Sequence, residues 1–196
     1  MGAANINCRY AMSNRFSNYN AQIPARLTTC LNDSGARYEI LHEPSEPSTN
    51  NQRFPAPAGL VRTAVVRAGK QRVLLVFPSQ YRVDLKRFAR LIGMPVSLEV
   101  ADDVKWLFPD CALGAIPPFG NLYGLSTYVD LSVARIEEMV FSAGTSTDSI
   151  RLAYLTYTEI VKPFFGLFSI RAPRGSAPDV GQRLAGGKAL KRDLTR

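Results

Sequence analysis

The sequence predicts a mixed α/β domain, and three observations carry that reading. Two runs rich in Val, Leu and Ala, LVRTAVVRA and RVLLVFP, are separated by Gly69, Lys70 and Gln71, close enough for a hairpin. Around them, segments with apolar residues three and four apart, each bounded by a capping or stop residue, interleave with further strand-like runs. A chain of 196 residues with 46% hydrophobic content can also fill one core of ordinary size, and it shows no internal repeat.

In order, IPARLTTCLNDSG reads as a short helix. Pro24 suits its first turn, Leu27, Cys30 and Leu31 share a face, and Gly35 is the stop. RYEILHE then reads as a strand, followed by a Pro- and Asn-rich irregular loop over residues 44–59. After the hairpin, Asp84 is placed to cap a helix, LKRFARLIG, whose Leu85, Phe88 and Ile92 form one apolar face and whose stop is Gly93. A strand over 96–100 and a short helix in ADDVKWLFP lead to a long Gly- and Pro-rich loop. LSTYVD, EEMVFSAG and DSIRLA are further strands. In TYTEIVKP, Thr156 and Glu159 have capping-box spacing and Pro163 closes the last helix. This divides the chain into a loose segment 1–22, a domain 23–163 and a basic, flexible tail 164–196.

Composition narrows the function classes. No apolar run approaches the roughly 18 residues of a membrane span, and the first 22 residues lack the apolar stretch of a secretory signal, so a soluble, cytoplasmic protein is expected. Cys8, Cys30 and Cys111 are odd in number and never paired as CxxC, which reads as reduced thiols rather than a disulfide framework or zinc site. Of the formal charge of +8, most sits between residues 171 and 196, where seven Lys and Arg face two Asp. Such a tail serves either as a solubilising terminus or as an arm that touches RNA phosphates.

The catalytic inventory is nearly empty. The single histidine, His42, follows a strand and has no nucleophile beside it in sequence. Nothing has metal-ligand spacing, and Gly114, Gly120 and Gly124 match neither GxGxxG nor GxxxxGK, so no metal and no cofactor is expected. What stands out is CALGAIPPFGNLYG. Glycine opens backbone geometries closed to other residues, and Pro117 with Pro118 stiffens the chain, so the N–H groups of Gly114, Ala115, Phe119 and Gly120 can be held in fixed directions. Such amides can form an oxyanion site, or the loop can be a tight turn between two elements.

The order LVRTAVVRAG, VLLVFPSQYRVDLKRFARLIG, LFPDCALGAIPPFGNLYGLSTYVD and VFSAGTSTDSIRLAY resembles the YbaK/ProX family, the prolyl-tRNA-synthetase-associated editing domains that deacylate mischarged tRNA. The similarity runs from about Leu27 to Pro163. Its most specific element is the GxxxP motif, Gly114-Ala115-Ile116-Pro117-Pro118, followed by FGNLYG. The resemblance implies a mixed β-sheet or partial barrel surrounded by helices, with a cleft in which the GxxxP backbone receives the aminoacyl group. It also implies a lysine at the start of the strand VRTAVV, where this chain has Arg62. Ser146 stands where many relatives have histidine, Ser126 where they have proline, and the segment before Arg62 does not look like their helix. Arginine stays charged and is a poor general base, yet it can hold an oxyanion or a phosphate. By strand alternation Arg62 shares a face with Ala64 and Val66 and can also simply extend to the sheet edge. Ser146 is either a hydrogen-bond donor to substrate or a polar turn residue.

The implied function is deacylation of mischarged aminoacyl-tRNA, with Arg62 and Gly114 in catalytic roles and Ala115, Ile116, Pro117, Pro118, Phe119 and Ser146 binding the substrate. The partner would be the tRNA acceptor end, with further phosphate contacts from the basic tail. A family member that binds aminoacyl-tRNA, a free amino acid or a protein without hydrolysis is the alternative.

Overall fold

A computed structural model of the chain describes residues 23–42 and 59–172. The segments 1–22, 43–58 and 173–196, which include most of the expected 44–59 loop and of the tail, lie outside the described residues. Helix α1 (Ala25–Asp33) buries Leu27 and Leu31, one turn apart, and starts on Pro24, which sits just outside the helix as its N-cap. Strand β1 (Tyr38–His42) follows. The hairpin forms as expected: β2 (Val61–Ala68) pairs antiparallel with β3 (Gln71–Pro78), from Val61 opposite Pro78 to Ala68 opposite Gln71.

A short strand β4 (Tyr81–Val83) leads into helix α2 (Leu85–Ile92). The Asp84 side chain accepts from the Arg87 N–H at 3.0 Å, and Gly93 ends the helix in the left-handed region. Strand β5 (Val96–Leu98) is shorter than the sequence implies, and α3 (Ala101–Val104) runs into a 3-10 turn over Lys105–Leu107. Beyond the loop and a second 3-10 turn, Gly120–Tyr123, come β6 (Ser126–Asp130), β7 (Glu138–Ser142), β8 (Asp148–Ala153), helix α4 (Tyr154–Val161), β9 (Phe164–Gly166) and β10 (Ser169–Arg171).

The strands make a five-stranded mixed sheet in the order β5-β2-β3-β6-β9, an antiparallel sheet β1-β8-β7, and the pair β10-β4. In the large sheet β3–β6 and β6–β9 are the parallel pairs. A bridge between Leu60 and Val140, with the Val140 N–H donating to the Gly59 carbonyl at 3.0 Å, ties the start of β2 to β7. The period-2 alternation of β2 and β3 then separates two packing layers. On one side Ala64, Val66, Val73, Leu75 and Phe77 lie under Phe88 and Phe168. On the other, Val65 and Leu74 lie under Val104, Phe108 and Leu125, while Val61 and Val76 join Phe119, Phe141 and Tyr157 in the largest cluster.

Two expectations need correcting. Helix α4 begins at Tyr154, with extended Ala153 as N-cap, so Thr156 and Glu159 lie within the helix and form no capping box. A tertiary contact does part of that work, because the Tyr154 N–H donates to the Glu137 carbonyl at 2.9 Å. The ordered chain also runs past residue 163. Strand β9 extends the large sheet, and the buried Asp130 carboxylate accepts from the N–H groups of Phe168 at 2.8 Å and Ser169 at 2.7 Å, anchoring the turn before β10. Those bonds join residues almost forty apart in sequence, which no local pattern announces.

Candidate active site

The stiff loop is a set of turns held from below. The Ala112 N–H donates to the Gly144 carbonyl at 2.7 Å, which ties the loop to the turn between β7 and β8. The Ala115 N–H then donates back to the Ala112 carbonyl at 3.0 Å. That bond closes a four-residue turn with Gly114 third, at φ +80°, the conformation for which a type II turn requires glycine. Ala115 is therefore not an available donor, contrary to the sequence reading: its amide is spent on forming the turn that presents Gly114. Gly114 is exposed, a Cβ built on it would meet nothing within 4 Å, and its N–H has no acceptor among the described residues.

Three hydroxyls fix the peptide planes that follow. Ser142 on β7 donates to the Ala115 carbonyl at 3.2 Å, Thr63 on β2 donates to the Ile116 carbonyl at 2.9 Å, and Tyr157 on α4 donates to the Pro118 carbonyl at 2.8 Å. A trans peptide holds its N–H antiparallel to its C=O. Pinning the Ala115 and Pro118 carbonyls toward the body of the domain therefore turns the Ile116 and Phe119 N–H groups the opposite way. Pro117 and Pro118 are buried and contribute no donors. Phe119 is fully buried, its ring 5.6 Å from Phe141 and 5.5 Å from Tyr157, and acts as the plug that seats the loop. Gly120 is buried too, and any Cβ there would sit 2.5 Å from Thr127 Oγ1 and 2.9 Å from the Leu125 carbonyl. Of the four amides the sequence singled out, Gly114 is the one on an exposed residue.

The entry to the loop has its own clamp. Arg26 Nε is 2.7 Å from Asp110 Oδ2, its NH1 donates to the Leu122 carbonyl at 3.2 Å, and the guanidinium lies 4.8 Å from the centre of the Tyr123 ring. One side chain from α1 thus bridges both limbs of the loop. Tyr123 Oη is 3.1 Å from Cys111 Sγ. Burial pushes the Cys111 thiol up, which argues against a reactive thiolate, and burial also raises Tyr123.

Strand β2 reaches the loop through Thr63. Alternation puts the neighbouring Arg62 on the face of Ala64 and Val66, opposite Phe77 in the hairpin register. Arg62 is half-buried, and desolvation lowers its pKa from the ordinary arginine value, yet a guanidinium keeps its charge. Ser146 is exposed in the turn between β7 and β8. The same turn carries Thr145, whose hydroxyl donates to Asp148 Oδ2 at 2.6 Å, and Asp148 Oδ1 meets His42 Nδ1 at 2.6 Å. The sequence pointed to none of Thr63, Ser142, Tyr157 and Arg26, since a lone hydroxyl or a lone arginine in a strand or helix carries no pattern. Among the described residues no three His, Cys, Asp or Glu side chains group as metal ligands.

The model of the aminoacyl-tRNA editing domain family matches residues 49–160, more than half of the chain and the whole of the GxxxP site. The chain belongs to that family. Domains of this family act on aminoacyl-tRNA, and the editing domain here shares its fold with solved structures. The hypothetical protein APE2540 superposes with a TM-score of 0.64 at 16% identity, over 74% of this chain and 99% of that one. A structure described as a proposed trans-editing enzyme for prolyl tRNA synthetase gives 0.62 at 22% identity, over 74% of this chain and 95% of that one. In a proposed signal transduction protein from Marinobacter aquaeolei VT8 the fold is one part of a longer chain, with a TM-score of 0.60 at 14% identity over 76% of this chain and 31% of that one. At these identities the likeness is one of fold. Among curated proteins none matches the editing domain described here. No helix among the described residues is long and apolar enough to cross a membrane.

Proposed function

We propose that this editing domain is an aminoacyl-tRNA deacylase acting in trans in the cytoplasm, hydrolysing the ester between an incorrect amino acid and the terminal ribose of tRNA. The observation that carries the reading is exposed Gly114, whose N–H has no acceptor among the described residues, in a turn followed by carbonyls pinned by Thr63, Ser142 and Tyr157. A donor fixed before the substrate arrives stabilises the negative charge that develops on the ester oxygen, and does so without reorganisation at the moment of reaction. Water adds to the ester carbonyl carbon, the tetrahedral oxyanion is held at the Gly114 amide, and collapse breaks the bond to the ribose oxygen. That oxygen leaves as a hydroxyl with the proton the water gave up, passed through the neighbouring ribose hydroxyl or a bound water. Ile116 with Ala115 shapes the wall against which the aminoacyl group lies, Pro117, Pro118 and Phe119 hold that wall from behind, and Ser146 offers a hydroxyl at the rim. Arg62, on the face of β2 opposite Thr63, makes no direct contact with the ester in this reading, and an arginine there is in any case no base. The basic tail adds salt-sensitive affinity for RNA phosphates.

A non-hydrolytic binding role is the second reading, and the Ala115 amide favours it. With that N–H committed to Ala112, the oxyanion loses one of the donors the motif offers. A deacylation assay over a panel of mischarged tRNAs, with Gly114→Ala and Arg62→Lys alongside, separates the two. The deacylase reading expects hydrolysis above buffer by the native chain or by Arg62→Lys, and a drop of about a hundredfold in Gly114→Ala, which keeps the N–H but strains the turn at φ +80° and so displaces it. Hydrolysis by neither, with aminoacyl-tRNA still bound, establishes the binding role instead.

A further inference from the structure

The three hydroxyls that fix the loop hold the carbonyls of Ala115, Ile116 and Pro118, all of them past Gly114 in the chain. The Gly114 N–H belongs to the peptide between Leu113 and Gly114, so its direction is set from the other side, by the limb that enters the turn. Helix α1 holds that limb at two points. Pro24, its N-cap, rests on Gly144: a Cβ built on that glycine would lie 2.6 Å from Pro24 Cγ and Cδ. The Gly144 carbonyl is the acceptor for the Ala112 N–H at 2.7 Å. Two residues further on, Arg26 Nε is 2.7 Å from Asp110 Oδ2, and its NH1 donates to the Leu122 carbonyl at 3.2 Å.

The helix cannot shift without the loop. Its buried Leu27 and Leu31 lie in the same cluster as Phe119, the ring that seats the loop, and Tyr157, which holds the Pro118 carbonyl. The Arg26 side chain is 42% exposed and that of Asp110 29%, and an ion pair so open to water adds little to global stability. What the guanidinium adds is direction. Its planar fork joins a carboxylate before the turn to a carbonyl after it, a geometry that the point charge of a lysine does not reproduce. The match to the editing-domain family begins at residue 49, beyond α1, so Arg26 is no part of the matched motif.

We propose that Arg26 is a positioning residue for the Gly114 amide: by tying Asp110 to the Leu122 carbonyl it fixes the entry limb of the loop, and so aims the N–H at the place where the oxyanion forms. The ester never touches Arg26, which acts through Asp110 and the turn that follows it. The inference rests on the reading of Gly114 as the oxyanion donor, and one arm of its test does not read hydrolysis, so that the two can fail separately.

The full chain is compared as native protein, Arg26→Ala and Arg26→Lys. In the first arm, amide hydrogen exchange is followed residue by residue by NMR. The Ala112 and Ala115 amides, bonded to Gly144 and Ala112, are expected to exchange about fivefold faster in Arg26→Ala and by less in Arg26→Lys, while amides of the β2–β3 hairpin keep their native rates. In the second arm, deacylation of mischarged tRNA is expected to show kcat about tenfold lower in Arg26→Ala with KM within about twofold, and Arg26→Lys to recover to within about threefold of native. Unchanged exchange at Ala112 and Ala115 overturns the proposal. So does faster exchange in the hairpin by the same factor, which marks general loosening, and so does a raised KM with kcat kept and a flatter salt dependence, which marks a direct contact with RNA phosphate. A native chain that hydrolyses no ester sinks the deacylase reading, and the exchange arm then decides this inference by itself.

Discussion

The two faces of the large sheet are closed by different physics. Under α2 the closure is burial: Phe88 meets Tyr128 and Phe168 edge-on at 5.1 and 5.3 Å, over Ala64, Val66, Leu75 and Phe77. On the loop face the closure adds direction, with three hydroxyls from β2, β7 and α4 each meeting a named carbonyl. Apolar burial is indifferent to orientation, so the α2 face stabilises without positioning anything. Hydrogen bonds contribute less each but set the plane of every peptide they touch. The stable face and the chemically useful face are thus separate, and each can be damaged alone.

The largest effect expected is on stability. Phe88→Ala removes a fully buried ring and costs about 4 kcal/mol, read as a lower urea midpoint, while deacylation per folded molecule stays near native. Loss of activity in step with the folded protein's own rate constant, rather than with its abundance, breaks the separation of the faces. Next comes Tyr157→Phe, which keeps the ring and deletes the bond to Pro118; it costs about 1.5 kcal/mol. Because the loop loses an anchor, deacylation falls about tenfold, more than Phe88→Ala produces.

A smaller effect is acid sensitivity at the junction between β6 and β10. Burial alone raises the Asp130 carboxyl, but hydrogen bonds from Ser132 and from the Phe168 and Ser169 amides outweigh it and hold its pKa below the ordinary 3.8. A depressed carboxyl pKa contributes stability that is complete above the unfolded value and lost as pH falls through the folded one. Unfolding midpoints should therefore drop as pH falls below 3.8, and Asp130→Asn should flatten that part of the curve. The smallest effect on stability is at exposed Ser146: Ser146→Ala should leave the midpoint within about 0.5 kcal/mol. A threefold change in KM for aminoacyl-tRNA would then mark it as a substrate contact, and none at all as a turn residue.

Legibility follows the same division. The α2 face could be read locally, since Asp84, the spacing of Leu85, Phe88 and Ile92, and Gly93 all lie within ten residues. The loop was legible as a GxxxP motif whose glycines open backbone geometries closed to other residues, but its partners were not. Thr63 and Ile116 are 53 residues apart, Tyr157 and Pro118 39, and Ser142 and Ala115 27. The spacing of Thr156 and Glu159 misled because a tertiary acceptor, Glu137, set the helix start. The expectation that Ala115 donates to substrate failed because the turn presenting Gly114 consumes that amide.

By itself the sequence determined the hairpin, helix α2 with its caps, the mixed α/β class and the motif that names the family, because periodicity, turn chemistry and glycine conformations act over a few residues. Only the tertiary structure decided which side of β2 meets the loop, which amides remain available, that the sheet continues beyond residue 163, and that His42 meets Asp148. Those outcomes depend on directional bonds between residues far apart in the chain, and such bonds exist only once the strands have been brought side by side.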